Sequence, residues 1–157
     1  MSQTAMSKPR SALHNTFTIT RVYDAPPSRV FAAFADPKAK AKWFSPPPDW
    51  VDVKQSVEFR VGGREHSSAR DSSGVTHVFD SIYYDIVPDA RIVYAYDMHL
   101  GEKRISVSLT TIDLQPEAGG KTRLTFTEQG VYLDGYDDAK AREEGTAWLL
   151  GKLGETL

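Results

Sequence analysis

The feature that most constrains the fold is a two-residue alternation of apolar and polar side chains that recurs between Val51 and Gly130. Turn-forming clusters such as Gly62-Gly63 and Pro88-Asp89 separate the alternating runs. Such alternation buries one face of a strand, and short connections join antiparallel neighbours. We therefore predict an antiparallel meander with one buried face. The residues at alternate positions of each run that are expected to face the core are Val57, Phe59 and Val61; Val75, His77 and Phe79; Ile92, Tyr94, Tyr96 and Met98; Ile105, Val107 and Leu109; and Leu124 and Phe126.

A strand and two helix signals precede the meander. The run from Thr16 to Asp24 is rich in β-forming residues and is predicted to be the first strand. Prolines end it and start a helix over Ser28 to Ala35. Asp36-Pro37 signals a second short helix, predicted to end near Phe44. The lysines of that second helix, which are Lys38, Lys40 and Lys42, are expected to face water.

A longer helix follows the meander. Asp137-Asp138 provides acidic residues for its first turn, although Gly145 favours a regular start only after that glycine. One amphipathic helix cannot cover both faces of a sheet, so the sheet is expected to twist around it. We predict an α+β fold in which a curved antiparallel sheet of about seven strands surrounds the long C-terminal helix. The apolar stripe of this helix is Leu149, Leu150, Leu153 and Leu157, with Trp148 beside it.

Length, charge and composition narrow the classes of function. The 157 residues suit one domain, predicted over 16–157 after a flexible tail at 1–15. No apolar run suits a secretion signal or a membrane span, so a cytoplasmic protein without membrane insertion is expected. A net charge of -2 argues against nucleic-acid binding by bulk charge. The absence of cysteine excludes disulfides, thiolate nucleophiles, iron–sulfur clusters and cysteine-based zinc sites.

Several stretches together resemble a known family. They are Phe17 to Pro26, which ends in Ala-Pro; Val30-Phe31 and Asp36-Pro37 through Trp43-Phe44; Ile86 to Tyr94, which reads IVPDARIVY; and Gly119 to Gly130, which reads GGKTRLTFTEQG. In order and spacing they resemble the Activator of Hsp90 ATPase homologue 1-like group of the START/Bet v 1-like, or polyketide-cyclase-like, superfamily. The resemblance covers about 16–157 and implies a helix-grip fold. It implies no catalytic residue, because its motifs are strand, turn and packing signals.

The wrapped sheet leaves a space against the last helix, where a ligand is expected. A tyrosine in its wall could orient a ligand, because a buried hydroxyl needs a partner. No cofactor is predicted, and four histidines without a His-x-x-x-His spacing give no metal site. The candidate ligand-binding residues are Trp43, Phe59, His77, Phe79, Tyr94, Tyr96 and Trp148.

A pair of histidines is the remaining candidate for proton transfer. A two- or four-residue loop around Asp71 to Gly74 would pair His66 with Phe79, and His66 and His77 would then be diagonal neighbours on one face. The alternative for His66 is a surface position on the convex side of the sheet. His77 is equally compatible with a core position and with a ligand-binding one.

Three functions are therefore considered, in this order. The first is binding of a small hydrophobic or aromatic molecule in the cavity. The second is cyclase- or isomerase-like catalysis there, for which His77, Tyr94 or a buried Asp80 would have to serve. The third is a role as an Hsp90-type co-chaperone or stress-response interaction protein, which the resemblance implies. Both a monomer and a homodimer are compatible with an open sheet.

Overall fold

The computed structural model describes residues 9–157, which form one seven-stranded sheet and three helices. All neighbouring strands are antiparallel, in the order β1-β7-β6-β5-β4-β3-β2. The predicted α+β fold, with its curved sheet and two short helices after the first strand, is confirmed. The elements are β1 (Ala12–Tyr23), α1 (Pro27–Ala35), α2 (Pro37–Lys40), β2 (Val51–Val57), β3 (Arg64–Arg70), β4 (Thr76–Val87), β5 (Arg91–Leu100), β6 (Lys103–Glu117), β7 (Lys121–Leu133) and α3 (Ala139–Glu155).

The first strand starts earlier than its side-chain pattern indicates. Residues 12–15, assigned above to a flexible tail, pair with residues 130–133 of β7. Asp134 extends this pairing, because its carboxylate accepts a hydrogen bond from the Ser11 N–H at 2.9 Å. The tail prediction is therefore wrong for residues 12–15. Backbone hydrogen bonds, which no hydropathy pattern reports, hold them in the sheet. The first eight residues of the expected tail lie outside the described part of the chain.

The helix ends also differ from expectation. α2 stops at Lys40 rather than near Phe44, and the residues that follow it form a turn. The Trp43 indole N–H donates to the Ala33 carbonyl at 2.9 Å, which fixes this turn against α1. α3 begins at Ala139, before Gly145, because the Asp138 side chain caps it by accepting from the Ala141 N–H at 2.8 Å.

The α3 helix packs on the concave face of the sheet by its C-terminal half. Leu150 and Leu153 are its buried residues, whereas Leu149 and Leu157 are half-buried. The Tyr23 hydroxyl donates to the Leu150 carbonyl at 2.7 Å and ties the helix to β1. The N-terminal half of α3 is therefore free to cover a cavity.

The predicted strand through Val57, Phe59 and Val61 is wrong beyond Val57, where β2 ends. The chain turns there, and the Gly63 N–H donates to the Arg60 carbonyl. A Cβ at Gly63 would lie 2.0 Å from the Glu58 carbonyl oxygen, so this turn needs glycine. Phe59 consequently packs outside the sheet, edge-on to Phe31 and Tyr83.

The β6 strand contradicts the apolar-inward expectation. Val107 and Leu109 are 45% and 41% exposed on the convex face. The polar residues that alternate with them, Ser106, Ser108 and Thr110, are buried on the concave face instead. The register explains this, because Thr110 lies opposite Glu128 and Tyr94. The concave face therefore contains a polar stripe between aromatic strands.

The β3–β4 hairpin has a different register from the predicted one. Five residues, 71–75, form its loop, because the Asp71 carboxylate accepts from the Ser73 and Val75 N–H groups. His66 consequently pairs with Asp80 rather than Phe79, and Ala69 pairs with His77. Since this shift of one residue reverses the face, the prediction that the two histidines share a face is wrong. His66 lies on the convex side and His77 on the concave side.

Candidate ligand cavity

A cavity of about 440 Å³ lies between the concave face of the sheet, the N-terminal half of α3 and the segment that follows α2. This volume is within the usual range for small-molecule sites. All three tryptophans of the chain line it. Its other lining residues include Phe44, Pro46, Pro47, Phe79, Tyr94, Tyr96, Met98, Phe126, Leu149 and Leu150.

The sheet side of the cavity is a continuous aromatic surface. The ring centroids of Phe44 and Phe79 are 5.3 Å apart, and those of Phe79 and Tyr96 are 4.8 Å apart. Tyr94 lies between Tyr96 and Tyr83, at 6.0 and 5.9 Å. These distances are typical of packed aromatic pairs, so the rings support one another as well as the wall.

A buried carboxylate lies at the inner side of this wall. The Glu128 side chain is 1% exposed and accepts hydrogen bonds from the Tyr96 hydroxyl at 2.9 Å and the Thr110 hydroxyl at 3.1 Å. Burial raises the pKa of Glu128, against the opposing effect of the nearby Arg142 guanidinium. The protein therefore retains an acid in a site that disfavours its charge.

Arg142 connects α3 to the sheet across the cavity. Its guanidinium donates to the Tyr96 hydroxyl at 2.9 Å, the Ser106 hydroxyl at 2.7 Å and the Asp137 carboxylate at 2.7 Å. The distance to the Glu128 carboxylate is longer, 3.7 Å. The arginine is thus shared between two carboxylates, and Asp137 is the nearer of them.

A second buried ion pair lies at the α2 end. The Lys40 ammonium donates to the Glu65 carboxylate at 2.6 Å, and the Tyr83 hydroxyl donates to the same oxygen. Burial lowers the pKa of Lys40, and Glu65 opposes this effect. Lys40 lines the cavity, so the expectation that it faces water is wrong. The Phe44 ring, 4.8 Å from its ammonium, and Glu65 make the inward position favourable.

Tyr94 offers the cavity a hydroxyl without a partner. Its neighbours Tyr83 and Tyr96 each donate to a buried carboxylate, whereas no hydrogen bond from residues 9–157 reaches the Tyr94 hydroxyl. Burial raises the pKa of Tyr94 well above its ordinary value, which keeps the hydroxyl protonated. The hydroxyl is therefore available for hydrogen bonding in the cavity.

His77 and Trp50 form one side of the cavity wall. Their ring centroids are 4.3 Å apart, and His77 Nε2 lies 2.8 Å from the Asp71 carboxylate. Hydrogen bonds from Ser73 and His77 lower the pKa of Asp71, so that acid stays charged. On the α3 side, Trp148 is 59% exposed and lies under the Lys152 ammonium. Aromatic rings therefore bound the cavity on both sides.

The chain matches one known protein family. The sequence profile of the family described as Activator of Hsp90 ATPase homolog 1-like protein matches residues 24–157. The chain belongs to this family. None of the curated proteins compared with the chain matches it.

Several solved structures resemble this chain. A protein from Rhizobium leguminosarum is 47% identical, with a TM-score of 0.89 over 94% of this chain and 97% of that one. A protein from Rhizobium loti is 46% identical, with a TM-score of 0.87 over 94% and 99%. At 19% identity and a TM-score of 0.62, a protein of the dynemicin biosynthetic locus shares the fold over 89% of this chain and 46% of that one.

In this Activator of Hsp90 ATPase homolog 1-like domain, most of the candidate binding residues surround one cavity. Phe59 is the exception, because the turn after β2 removes it from the wall. Of the candidates in the lining, Trp43 is buried and Trp148 is largely exposed. The candidates that line the cavity are Trp43, His77, Phe79, Tyr94, Tyr96 and Trp148.

The charged residues of the cavity were not predicted from the sequence. Glu128 shares its strand parity with Leu124 and Phe126, and that parity was the available signal. Arg142 and Lys40 carried no comparable signal, because each lies in a polar stretch of helix. Asp80 is exposed on the convex face, so the expectation that a buried Asp80 serves in the cavity is wrong.

The convex face contains three side chains in the order aspartate, histidine, serine. His66 Nδ1 lies 2.7 Å from Asp80, and His66 Nε2 lies 3.0 Å from the Ser68 hydroxyl. Ser68 is 8% exposed and lies in a strand paired on both sides. The backbone N–H groups around it are engaged in the sheet, which leaves no oxyanion donors beside it. This network therefore stabilises the hairpin.

The described part of the chain, residues 9–157, contains no cluster of metal-ligating side chains. No three side chains of His, Asp or Glu converge there as metal ligands. In the same part of the chain, no helix is long and apolar enough to cross a bilayer. The groups that line the cavity provide an aromatic surface, the Tyr94 hydroxyl and the Glu128 carboxylate.

Proposed function

We propose that the chain binds a small, largely aromatic or hydrophobic molecule in the cavity between α3 and the sheet. The observation that carries this proposal is the unpartnered Tyr94 hydroxyl in an aromatic wall around about 440 Å³. A core built only for stability would fill this volume and satisfy the hydroxyl. Trp43, His77, Phe79, Tyr96 and Trp148 are the further proposed ligand contacts.

The location of the three tryptophans gives a direct assay. We would titrate the protein with N-phenyl-1-naphthylamine, an uncharged fluorophore, and follow energy transfer from tryptophan. Because Trp43, Trp50 and Trp148 all line the cavity, binding there should transfer energy efficiently and saturate at one molecule per chain. A signal that does not saturate, or its absence at the solubility limit of the fluorophore, would contradict the proposal.

Two glycines of α3 provide a matched pair of variants. A Cβ on Gly145 or on Gly151 meets no heavy atom within 4 Å, so both positions accept a side chain. Gly145 lines the cavity and Gly151 does not. Gly145→Phe should therefore weaken fluorophore binding about tenfold or more, whereas Gly151→Phe should leave it unchanged. Equal effects of the two substitutions would place the bound fluorophore elsewhere.

A second candidate function is cyclase- or isomerase-like catalysis in the same cavity. The pKa of Glu128 is raised, which brings its titration closer to neutral pH as acid–base catalysis favours, and Tyr94 provides a protonated hydroxyl in the same cavity. We would measure deuterium uptake at the carbons next to the carbonyl of 2-tetralone by NMR. Uptake catalysed by the wild type and lost in Glu128→Gln supports an enzyme, and equal rates with and without protein refute it for this ketone.

Family membership alone supports a third candidate, an interaction with an Hsp90-type ATPase. The test is the ATPase rate of such a chaperone with and without the chain, at concentrations of both proteins that allow weak binding. An unchanged rate, together with no co-sedimentation, would remove this candidate. Sedimentation of the chain alone would also separate the monomer from the homodimer.

A further inference from the structure

The charge balance around Glu128 indicates what kind of ligand the cavity takes. Among the described residues 9–157, Arg142 is the cation within 4 Å of this carboxylate, at 3.7 Å, but it lies 2.7 Å from Asp137. Asp137 is 22% exposed and Glu128 only 1%. One guanidinium is thus shared by two carboxylates. The more deeply buried carboxylate, that of Glu128, is the one farther from it. A buried carboxylate is stable only when it is paired or protonated.

The other charged groups of the cavity do not supply the missing positive charge. Lys40 lies at the opposite end, where Glu65 holds its ammonium at 2.6 Å. His77 faces the Asp71 carboxylate at 2.8 Å. Lys152 lies over the exposed Trp148, 4.7 Å from the ring centroid. Each of these three side chains therefore already has its own acidic or aromatic partner.

The aromatic wall is suited to hold a cation. The protein's own cations already lie over its rings, since the Lys40 ammonium is 4.8 Å from Phe44 and the Arg142 guanidinium is 5.7 Å from Tyr96. Aromatic rings around a carboxylate are the arrangement that binds ammonium groups in proteins. Tyr94 adds an oxygen that can accept a hydrogen bond from such a group.

We propose that the ligand of this cavity is an organic cation, in which a protonated amine or quaternary ammonium on an apolar body lies beside Glu128 and the rings of Tyr94, Tyr96 and Phe79. This inference rests on the proposed binding function and assigns the chemical class of its ligand. The cation neutralises the charge of Glu128, and the apolar body occupies the side of the cavity toward Trp50 and Trp148.

Two isosteric molecules test the proposal. One is (2-naphthylmethyl)trimethylammonium, and the other is 2-(2,2-dimethylpropyl)naphthalene, in which carbon replaces the charged nitrogen. Both are titrated by displacement of N-phenyl-1-naphthylamine from the wild type and from Glu128→Gln. The substitution should weaken binding of the cation about tenfold or more and change binding of the uncharged isostere less than twofold. The ratio between variants cancels the difference in hydrophobicity between the two molecules.

Asp80→Asn is the matched control, because it removes a carboxylate from the convex face and should alter neither affinity. Equal weakening of both molecules by Glu128→Gln, or an unchanged affinity for the cation, would overturn the inference while the binding function stands. If neither molecule nor the fluorophore binds the wild type, the proposed function falls and this inference with it.

A second comparison uses the wild type alone, so it does not depend on folding of the variant. The anionic analogue 2-naphthylmethanesulfonate has a similar shape and opposite charge. We expect the cation to bind at least tenfold more tightly than this anion. Equal affinities, or tighter binding of the anion, would refute a cation-selective cavity.

Discussion

Replacing Arg142 with methionine should reveal how strongly the buried carboxylate depends on it. Two unit charges 3.7 Å apart attract each other by about 4.5 kcal/mol at an effective dielectric constant of about 20. Removing one partner of a buried ion pair costs about 3–5 kcal/mol, because the other charge is left uncompensated. Methionine retains much of the length of the arginine stem, so the expected loss of about 3–5 kcal/mol comes mainly from the charge.

A double-mutant cycle separates this effect from lost packing. We expect Arg142→Met to cost about 1–3 kcal/mol less in a Glu128→Gln background, because the uncompensated charge is then absent. Unfolding free energies from urea titrations of the four proteins give this coupling directly. Arg104→Met is the control, since Arg104 is 57% exposed in its pair with Asp97 and should lose at most about 1 kcal/mol.

Additive effects would refute this reasoning. If the costs of Arg142→Met and Glu128→Gln sum to that of the double variant within about 0.5 kcal/mol, the two residues do not interact energetically. The hydrogen bonds of Arg142 to Tyr96, Ser106 and Asp137 would then account for its contribution, and Glu128 would not depend on the guanidinium.

Three further predictions concern stability. Leu153→Ala, at a fully buried position of α3, should lower the unfolding free energy in urea by about 2–5 kcal/mol. Because the pKa of Glu128 is raised in the folded state, the folded protein binds this proton more tightly than the unfolded chain does, and stability falls as pH rises above the unfolded value of 4.5. Glu128→Gln should therefore gain stability relative to the wild type between pH 4 and 7. A difference in unfolding free energy that stays constant over this range would contradict the prediction. Gly63→Ala should lower the melting temperature because its Cβ would lie 2.0 Å from the Glu58 carbonyl oxygen, whereas Gly145→Ala should raise it.

The architecture was accessible from the sequence because its signals are local. Proline and aspartate mark the helix starts, and alternation marks most strands of the meander. What the sequence did not show are features set by backbone pairing. Residues 12–15 join the sheet through β7, and the Asp71 turn adds one residue to the β3–β4 loop. That single residue decides which face His66 occupies.

Part of the site could be predicted from the sequence, for a related reason. Aromatic residues such as Phe79, Tyr94 and Tyr96 follow strand parity, so their convergence could be predicted. Glu128 follows the same parity, but a carboxylate on a core-facing position is an exception to hydropathy rules. Arg142 lies more than ten residues away in another element, and its contacts with Tyr96 and Ser106 exist only after α3 has docked.

The inverted β6 strand has a consequence for how the protein tolerates sequence change. In a library that randomises this strand, valine at position 107 and leucine at position 109 should be replaceable by lysine or threonine, since both side chains are exposed on the convex face. The small hydroxyl residues at 106, 108 and 110 should instead resist substitution by larger apolar groups, because all three are buried on the concave face. Within residues 106–110 of this strand, the hydrophobic residues would then tolerate substitution, and the polar residues would be the ones needed for folding.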